Sequence, residues 1–183
     1  MLSGAQLDAA IRQVASRPKR DLFYRAMLLK HAHDPLGKHR PIRANRFNLA
    51  NGARVLYLAQ TIDTALDEVQ AFGFPARSVA IVPVQFDLQA VVDLRDVNTL
   101  TTLQLTSNDL SVNFRTVSPG TAPAPTQELG ECAAASGCVD GLIFESLARP
   151  GTINLAVFEA NLTRLGSSLA VNDPANNLYE TLP

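Results

Sequence analysis

The chain has 183 residues, enough for one domain with one core at roughly 100 to 200 residues per domain. With 46% hydrophobic and 18% charged residues it lies well outside the composition of chains that stay disordered. No stretch nears about 18 consecutive apolar residues, and the N-terminus lacks the basic, apolar, small-residue order of a secretory signal, so a soluble cytoplasmic protein without membrane contact is expected.

Charge is unevenly distributed. Residues 1–54 hold eleven of the sixteen Lys and Arg against three acids, a net +8, whereas the remainder has five bases and fourteen acids, a net −9. Such polarity points to an anionic ligand near the N-terminal third, or to a basic segment folded against an acidic body. Cys132 and Cys138 match no common zinc spacing and are expected to be reduced thiols.

In chain order, Ser3 and Gln6 form a capping-box pattern, and Leu7, Ala10, Ile11 and Val14 recur at helical spacing until Pro18, predicting a helix over 3–17. A short strand is expected at Leu22–Met27, followed by a long polar loop from His31 to Leu49. After the turn signal Asn51-Gly52, Arg54–Ala59 alternates as a strand, with Val55, Tyr57 and Ala59 on one face and Leu56 and Leu58 on the other. Ile62, Ala65, Leu66, Val69 and Phe72 then form one helical stripe, with Thr61 or Asp63 as N-cap and Gly73 and Pro75 as the stop.

Two β-branched runs, Ser78–Val84 and Ala90–Leu94, read as strands, with weaker strand signals at Leu100–Leu105 and Val112–Val117. Ser118–Pro125 reads as a loop, Thr126–Ala135 as a short helix ending near Gly137, and Gly141–Glu145 and Asn154–Ala160 as strands around a turn at Pro150-Gly151. Residues 166–183 are polar and read as a tail. This order gives an α+β class in a single domain, with a core over about 22–162.

One constellation stands out. Arg46-Phe47-Asn48 precedes a turn, Tyr57 lies in the following strand, and Glu68 lies in the following helix at the edge of its apolar stripe. Short connections keep successive elements close, so these groups can converge. Ser146 leaves a later strand for a turn, where a hydroxyl can serve a ligand or the turn itself. His31, His33 and His39 lie near Asp34, but no matched ligand pair on regular elements supports a metal, and none is expected. The absence of P-loop, dinucleotide-fold and nucleophile-elbow motifs argues against those chemistries. Arg17-Pro-Lys-Arg20 lacks the aromatic residues and recognition helix of a nucleic-acid binder, so no direct nucleic-acid contact is expected.

Ordered blocks then resemble a family. Phe23-Tyr24-Arg25, Asn45-Arg46-Phe47-Asn48, Arg54–Ala59, Thr64–Val69, Thr126-Gln-Glu-Leu-Gly130, Asp140–Ser146 and Pro150–Phe158 are similar, in sequence and order, to the blocks of the RES domain, the toxin of RES–Xre toxin–antitoxin pairs. The resemblance implies an ADP-ribosyltransferase-like fold with a split mixed or antiparallel sheet and flanking helices. It implies cleavage of the nicotinamide–ribose bond of NAD+, a substrate rather than a cofactor, with water or phosphate as acceptor, or a protein side chain in some members. It also implies an Xre-type helix-turn-helix antitoxin as partner, with homo-oligomers in the complex left open.

The family's Arg, Glu and Ser carry over as Arg46, Glu68 and Ser146. On this reading Arg46, Glu68 and Tyr57 are catalytic, and Arg25, Asn48, Ser146 and Asn154 bind NAD+. Glu68 would stabilise positive charge on the ribose, Arg46 would grip the pyrophosphate with two hydrogen bonds, Tyr57 would stack on nicotinamide or ribose, and Ser146 and Asn154 would hydrogen-bond the dinucleotide. Arg25 is a second candidate for the pyrophosphate. Two positions depart from the family pattern: Asn45 replaces a Gly, which better tolerates positive φ, and Glu145 replaces a Pro. A catalytically silent dinucleotide-binding module is the alternative those departures raise.

Overall fold

The computed structural model describes residues 2, 4–39, 42–71, 73, 75, 78–112, 122–174 and 178–183. Its centre is β3 (Val79–Asp93), a strand of 15 residues that belongs to two half-sheets at once. Along most of its length it pairs antiparallel with β1 (Arg17–Leu28), from Arg17↔Val91 to Leu28↔Val79. On its other edge it pairs antiparallel with β6 (Ser168–Asp173), which in turn pairs with β7 (Leu178–Leu182). The far end of β3 runs parallel to β4 (Gly141–Glu145), and β4 continues antiparallel to β5 (Ile153–Phe158) and β5 to β2 (Val55–Ala59). A single pairing, Tyr24↔Ala59, joins β1 to β2 and brings the two halves together at one edge. The split mixed sheet with flanking helices is thus the α+β architecture expected.

The expected strands Ser78–Val84 and Ala90–Leu94 are one continuous strand. Val82, Val84, Phe86, Leu88 and Ala90 are buried, while Gln85 and Gln89 are exposed and Asp87 is half-buried, so the polar residues between the two runs mark the outward face of a strand rather than a turn. Strand β1 likewise starts at Arg17, well before Leu22. Its register is irregular between Arg17 and Lys19, where Pro18 has no N–H to give the ladder.

Alternation along β2, β4 and β5 sorts side chains into two cores. Leu56, Leu58, Ile143, Leu155 and Val157 face the interior between the half-sheets, with Phe23, Phe86 and Leu88. Val55, Tyr57, Leu142, Phe144, Ala156 and Phe158 face an outer layer of helices. That layer comprises α1 (Gly4–Gln13), which buries Leu7, Ala10 and Ile11, α3 (Val97–Leu103) and α5 (Pro125–Ser136). The N-terminal helix therefore ends at Gln13 rather than 17, and Ser3, its expected cap, lies outside the described residues.

Three further expectations are corrected. Residues 100–105 hold the end of helix α3, not a strand: Asp96 caps it by accepting from the Asn98 N–H, and Gln104 closes it in the left-handed region at φ 51°. Val112 follows α4 (Ser107–Ser111) outside any strand, and 113–117 lie outside the described residues. The polar C-terminus is not a tail. After α6 (Glu159–Leu165), β6 and β7 extend the sheet and bury Leu169, Val171 and Leu182 in the inner core.

Residues 42–53, which hold the end of the loop expected between His31 and Leu49, are clamped. The Glu131 carboxylate accepts the Leu49 N–H at 2.7 Å and the Ala53 N–H at 2.9 Å. Gln127 Nε2 donates to the Asn45 carbonyl at 3.2 Å. From β2, the Tyr57 hydroxyl accepts the Phe47 N–H at 2.8 Å and donates to Asn48 Oδ1 at 2.9 Å. Phe47 itself is fully buried against Phe144, with ring centroids 4.7 Å apart. Gly130 permits this approach, because a Cβ there would overlap the Phe47 carbonyl.

Gly130→Ala is therefore expected to destabilise the fold by about 1–3 kcal/mol, since the added methyl meets backbone rather than a pliable side chain. Urea unfolding checks this, and a variant as stable as the parent would mean that the loop does not need its contact with α5.

Candidate active site

Helix α2 (Ile62–Ala71) carries Glu68 on the flank of its buried face. One carboxylate oxygen, Oε1, accepts two hydrogen bonds, from Ser146 Oγ at 2.7 Å and from Asn154 Nδ2 at 2.6 Å. The other oxygen has no hydrogen-bond partner among the described residues, and Glu68 lines a cleft of about 490 Å³. Tyr24, Arg25, Arg46, Tyr57 and Asn154 line the same cleft. The acid and both cations predicted from the sequence therefore share one cavity.

The Asn154 amide orientation follows from chemistry. A carboxylate only accepts, so Nδ2 must face Glu68. This leaves Asn154 Oδ1 buried and without a partner among the described residues, an acceptor set into the cleft wall.

Ser146 has a different place. It is 1% exposed and does not line the cleft; its hydroxyl donates to Glu68 and accepts the Arg149 N–H at 3.0 Å. Arg149 Nε meets Asp67 at 2.6 Å, one residue before Glu68, which fastens the turn after β4 to α2. In this arrangement Ser146 orients Glu68 instead of touching a ligand. Asn48 is also committed: Nδ2 donates to the Arg43 and Leu49 carbonyls at 2.6 and 3.0 Å, and Oδ1 accepts from Tyr57. Its work is to shape the loop, and the direct NAD+-binding role expected for it has no uncommitted side-chain group to rest on.

Arg46 is only 7% exposed. Its guanidinium lies over the Phe144 ring at 4.6 Å, and its two terminal nitrogens donate to the carbonyls of Glu145 at 3.2 Å and Leu110 at 2.6 Å. Nε is buried with no partner among the described residues. Burial pulls its pKa below the ordinary arginine value, while the negative charge of Glu68 pushes it back up. Two of its five N–H donors are engaged by backbone carbonyls, and Arg46 lines the cleft that holds Glu68. What it supplies is fixed positive charge close to Glu68.

Tyr57 lines the cleft with its ring while its hydroxyl holds the loop. Burial pushes the phenol well above its ordinary pKa, against the opposing hydrogen bond from Phe47 N–H and the charge of Arg46. It therefore remains neutral and cannot serve as a base. Arg25, half-buried on β1, lies where this cleft meets a second one, which it also lines.

Neither family departure disturbs the site. Asn45 is not among the described residues of positive φ, and its Oδ1 accepts the Arg46 N–H at 2.8 Å. The Glu145 side chain is turned outward and accepts the Gly151 N–H, while its backbone carbonyl holds Arg46. Reading the sequence missed Gln127, Gly130 and Glu131 as the fasteners of the Arg46 loop, although the block Thr126-Gln-Glu-Leu-Gly130 contains most of them.

No curated protein matches the sequence. A chain of the crystal structure of the M. tuberculosis MbcT–MbcA toxin–antitoxin complex shares the fold at TM-score 0.65 and 20% sequence identity, over 94% of this chain and 95% of that one. The family model of the RES domain matches residues 22–176, from within β1 to beyond β6. The chain that assembles Arg46, Glu68 and the Ser146 turn around one cleft thus belongs to the RES domain family.

Proposed function

We propose that this protein is the toxin of a toxin–antitoxin pair and that it acts by cleaving the nicotinamide–ribose bond of NAD+. The observation that carries the reading is the Glu68 carboxylate, anchored through Oε1 by Ser146 and Asn154 with its second oxygen uncommitted in a cleft lined by Arg25, Arg46 and Tyr57. Membership of the RES domain family supports it, as does the fold shared with a chain of a toxin–antitoxin complex.

Departure of nicotinamide leaves positive charge on ribose C1′ and its ring oxygen, as in glycoside cleavage. The free oxygen of Glu68 stabilises that charge, and its fixed orientation means that little reorganisation is needed as the charge develops. Asn154 Oδ1 accepts a hydrogen bond from a ribose hydroxyl or from the nicotinamide carboxamide. The Tyr57 ring packs against the same end of the ligand. Arg46, buried beside the site, sets a positive charge near Glu68. Arg25, at the junction of the two clefts, takes the pyrophosphate. Water or phosphate then captures the ribosyl cation, and an antitoxin that covers the cleft mouth silences the reaction.

Two outcomes test the assignment. Purified protein incubated with NAD+, with and without phosphate, releases nicotinamide, and Glu68→Gln lowers the rate by about two orders of magnitude or more, roughly 3 kcal/mol of transition-state stabilisation. No release above a blank, or equal rates for the two proteins, would remove the reaction or the residue from the proposal. Ser146→Ala separates orientation from contact. Loss of one anchoring hydrogen bond of about 1–3 kcal/mol lowers kcat by about tenfold to a hundredfold while KM stays nearly constant. A rise in KM with kcat intact would instead make Ser146 a ligand contact.

A further inference from the structure

A second cleft of about 480 Å³ adjoins the first, and the two share Arg25, Ala26, Asn45, Tyr57 and Val69 as their common wall. Its chemistry differs. It is lined by Arg25, Lys30, His31, Arg43 and Arg54, against a single carboxylate, Glu159. Glu159 is matched by Arg54, whose Nε lies 3.4 Å from it. Beside that pair stand Lys30 and Arg43. Neither the Lys30 nor the Arg43 side chain has an ion-pair partner among the described residues.

Each cleft falls within the range of about 300–1,000 Å³ usual for small-molecule sites, and the residues that line both place the two side by side. If, as proposed above, the Glu68 cleft takes the nicotinamide end and Arg25 the pyrophosphate, the adenosine end enters the second cleft. An unmodified adenosine brings no charge to meet Lys30 and Arg43. A phosphomonoester on that end adds about −1.5 to −2, the charge that two cations with no carboxylate of their own are suited to receive. We propose that the second cleft holds a phosphomonoester at the adenosine end of the dinucleotide, so that the protein takes NADP+ as well as NAD+ and binds the phosphorylated form more tightly.

The inference rests on the proposed reaction for the orientation of the ligand, but its test does not need turnover. Titration calorimetry at low ionic strength compares adenosine 2′,5′-bisphosphate with 5′-AMP on the intact protein. The bisphosphate is expected to bind about tenfold more tightly or better, about 1.4 kcal/mol. Lys30→Ala with Arg43→Ala, both exposed in this structure, is expected to abolish that difference while changing AMP binding by less than about threefold. Each single Gln substitution should remove part of it. Equal or weaker binding of the bisphosphate, or a preference that survives in the double variant, overturns the proposal. Nicotinamide release from NADP+ and NAD+ provides the kinetic arm. If neither dinucleotide is cleaved while the bisphosphate preference depends on Lys30 and Arg43, the reaction falls and the phosphate subsite stands.

Discussion

The arrangement of the cleft depends on a single carboxylate oxygen. Glu68 Oε1 receives Ser146 and Asn154, so one acceptor ties helix α2 to the turn after β4 and to the start of β5. Charged acceptors make stronger hydrogen bonds than neutral ones, and two of them fix both the position and the rotation of the carboxylate. Because both anchors meet Oε1, the whole of Oε2 is left for a ligand. Their convergence on one oxygen is what leaves Glu68 both rigid and available. The Arg149–Asp67 pair reinforces the same junction from the outside, although at partly exposed positions such a pair adds little by itself.

The cationic side of the cleft is held by different means. Arg46 sits under the site with backbone carbonyls on its terminal nitrogens and an aromatic face below it. Burying a guanidinium is costly, and carbonyls, ring and nearby carboxylate offset that cost only while the loop keeps its shape. The shape comes from α5 and β2: Gln127, Gly130 and Glu131 clamp one side, and the Tyr57 hydroxyl the other. Acid and base are thus positioned by separate parts of the fold, and they meet because β2 lies between them, donating Tyr57 to the loop and antiparallel pairing to β5 beside Asn154. The division explains why a single strand can be read both as core and as cleft wall.

Local patterns predicted what local physics determines. Alternation in Val55–Ala59 and the stripe through Ile62, Ala65 and Val69 appear as β2 and α2, and the ordered blocks pointed to the correct family and to one shared cleft. Failures came where tertiary context decides. Gln85, Asp87 and Gln89 look like a break until β1 and β6 flank the strand that contains them. Leu100–Leu105 is rich in β-tolerant residues, yet an Asp96 cap commits its beginning to helix. Residues 168–182 are too polar on one face to announce strands, and only the inner core reveals why Leu169, Val171 and Leu182 alternate. At the site, sequence could nominate Ser146, Asn48 and Arg46 but not say which atoms were already engaged. A residue type states what a group can do; only geometry states what remains for it to do.

The uneven charge along the chain resolves in the same way. Part of the basic N-terminal segment neutralises the acidic body, through Arg54 with Glu159, Lys38 with Glu180 and Arg20 with Asp87. Another part lines the clefts: Arg25 lies on both, and Lys30 and Arg43, which have no ion-pair partner among the described residues, line the second. Of the two explanations offered by composition, internal compensation is seen in these pairs, while Lys30 and Arg43 stand on concave surface, where an anionic ligand would meet them. In a cavity with low-dielectric walls, the same charges act on an entering anion more strongly than they would on a flat, fully solvated face. Folding in this way gives a nearly neutral chain a cleft lined by cations beside the one that holds Glu68.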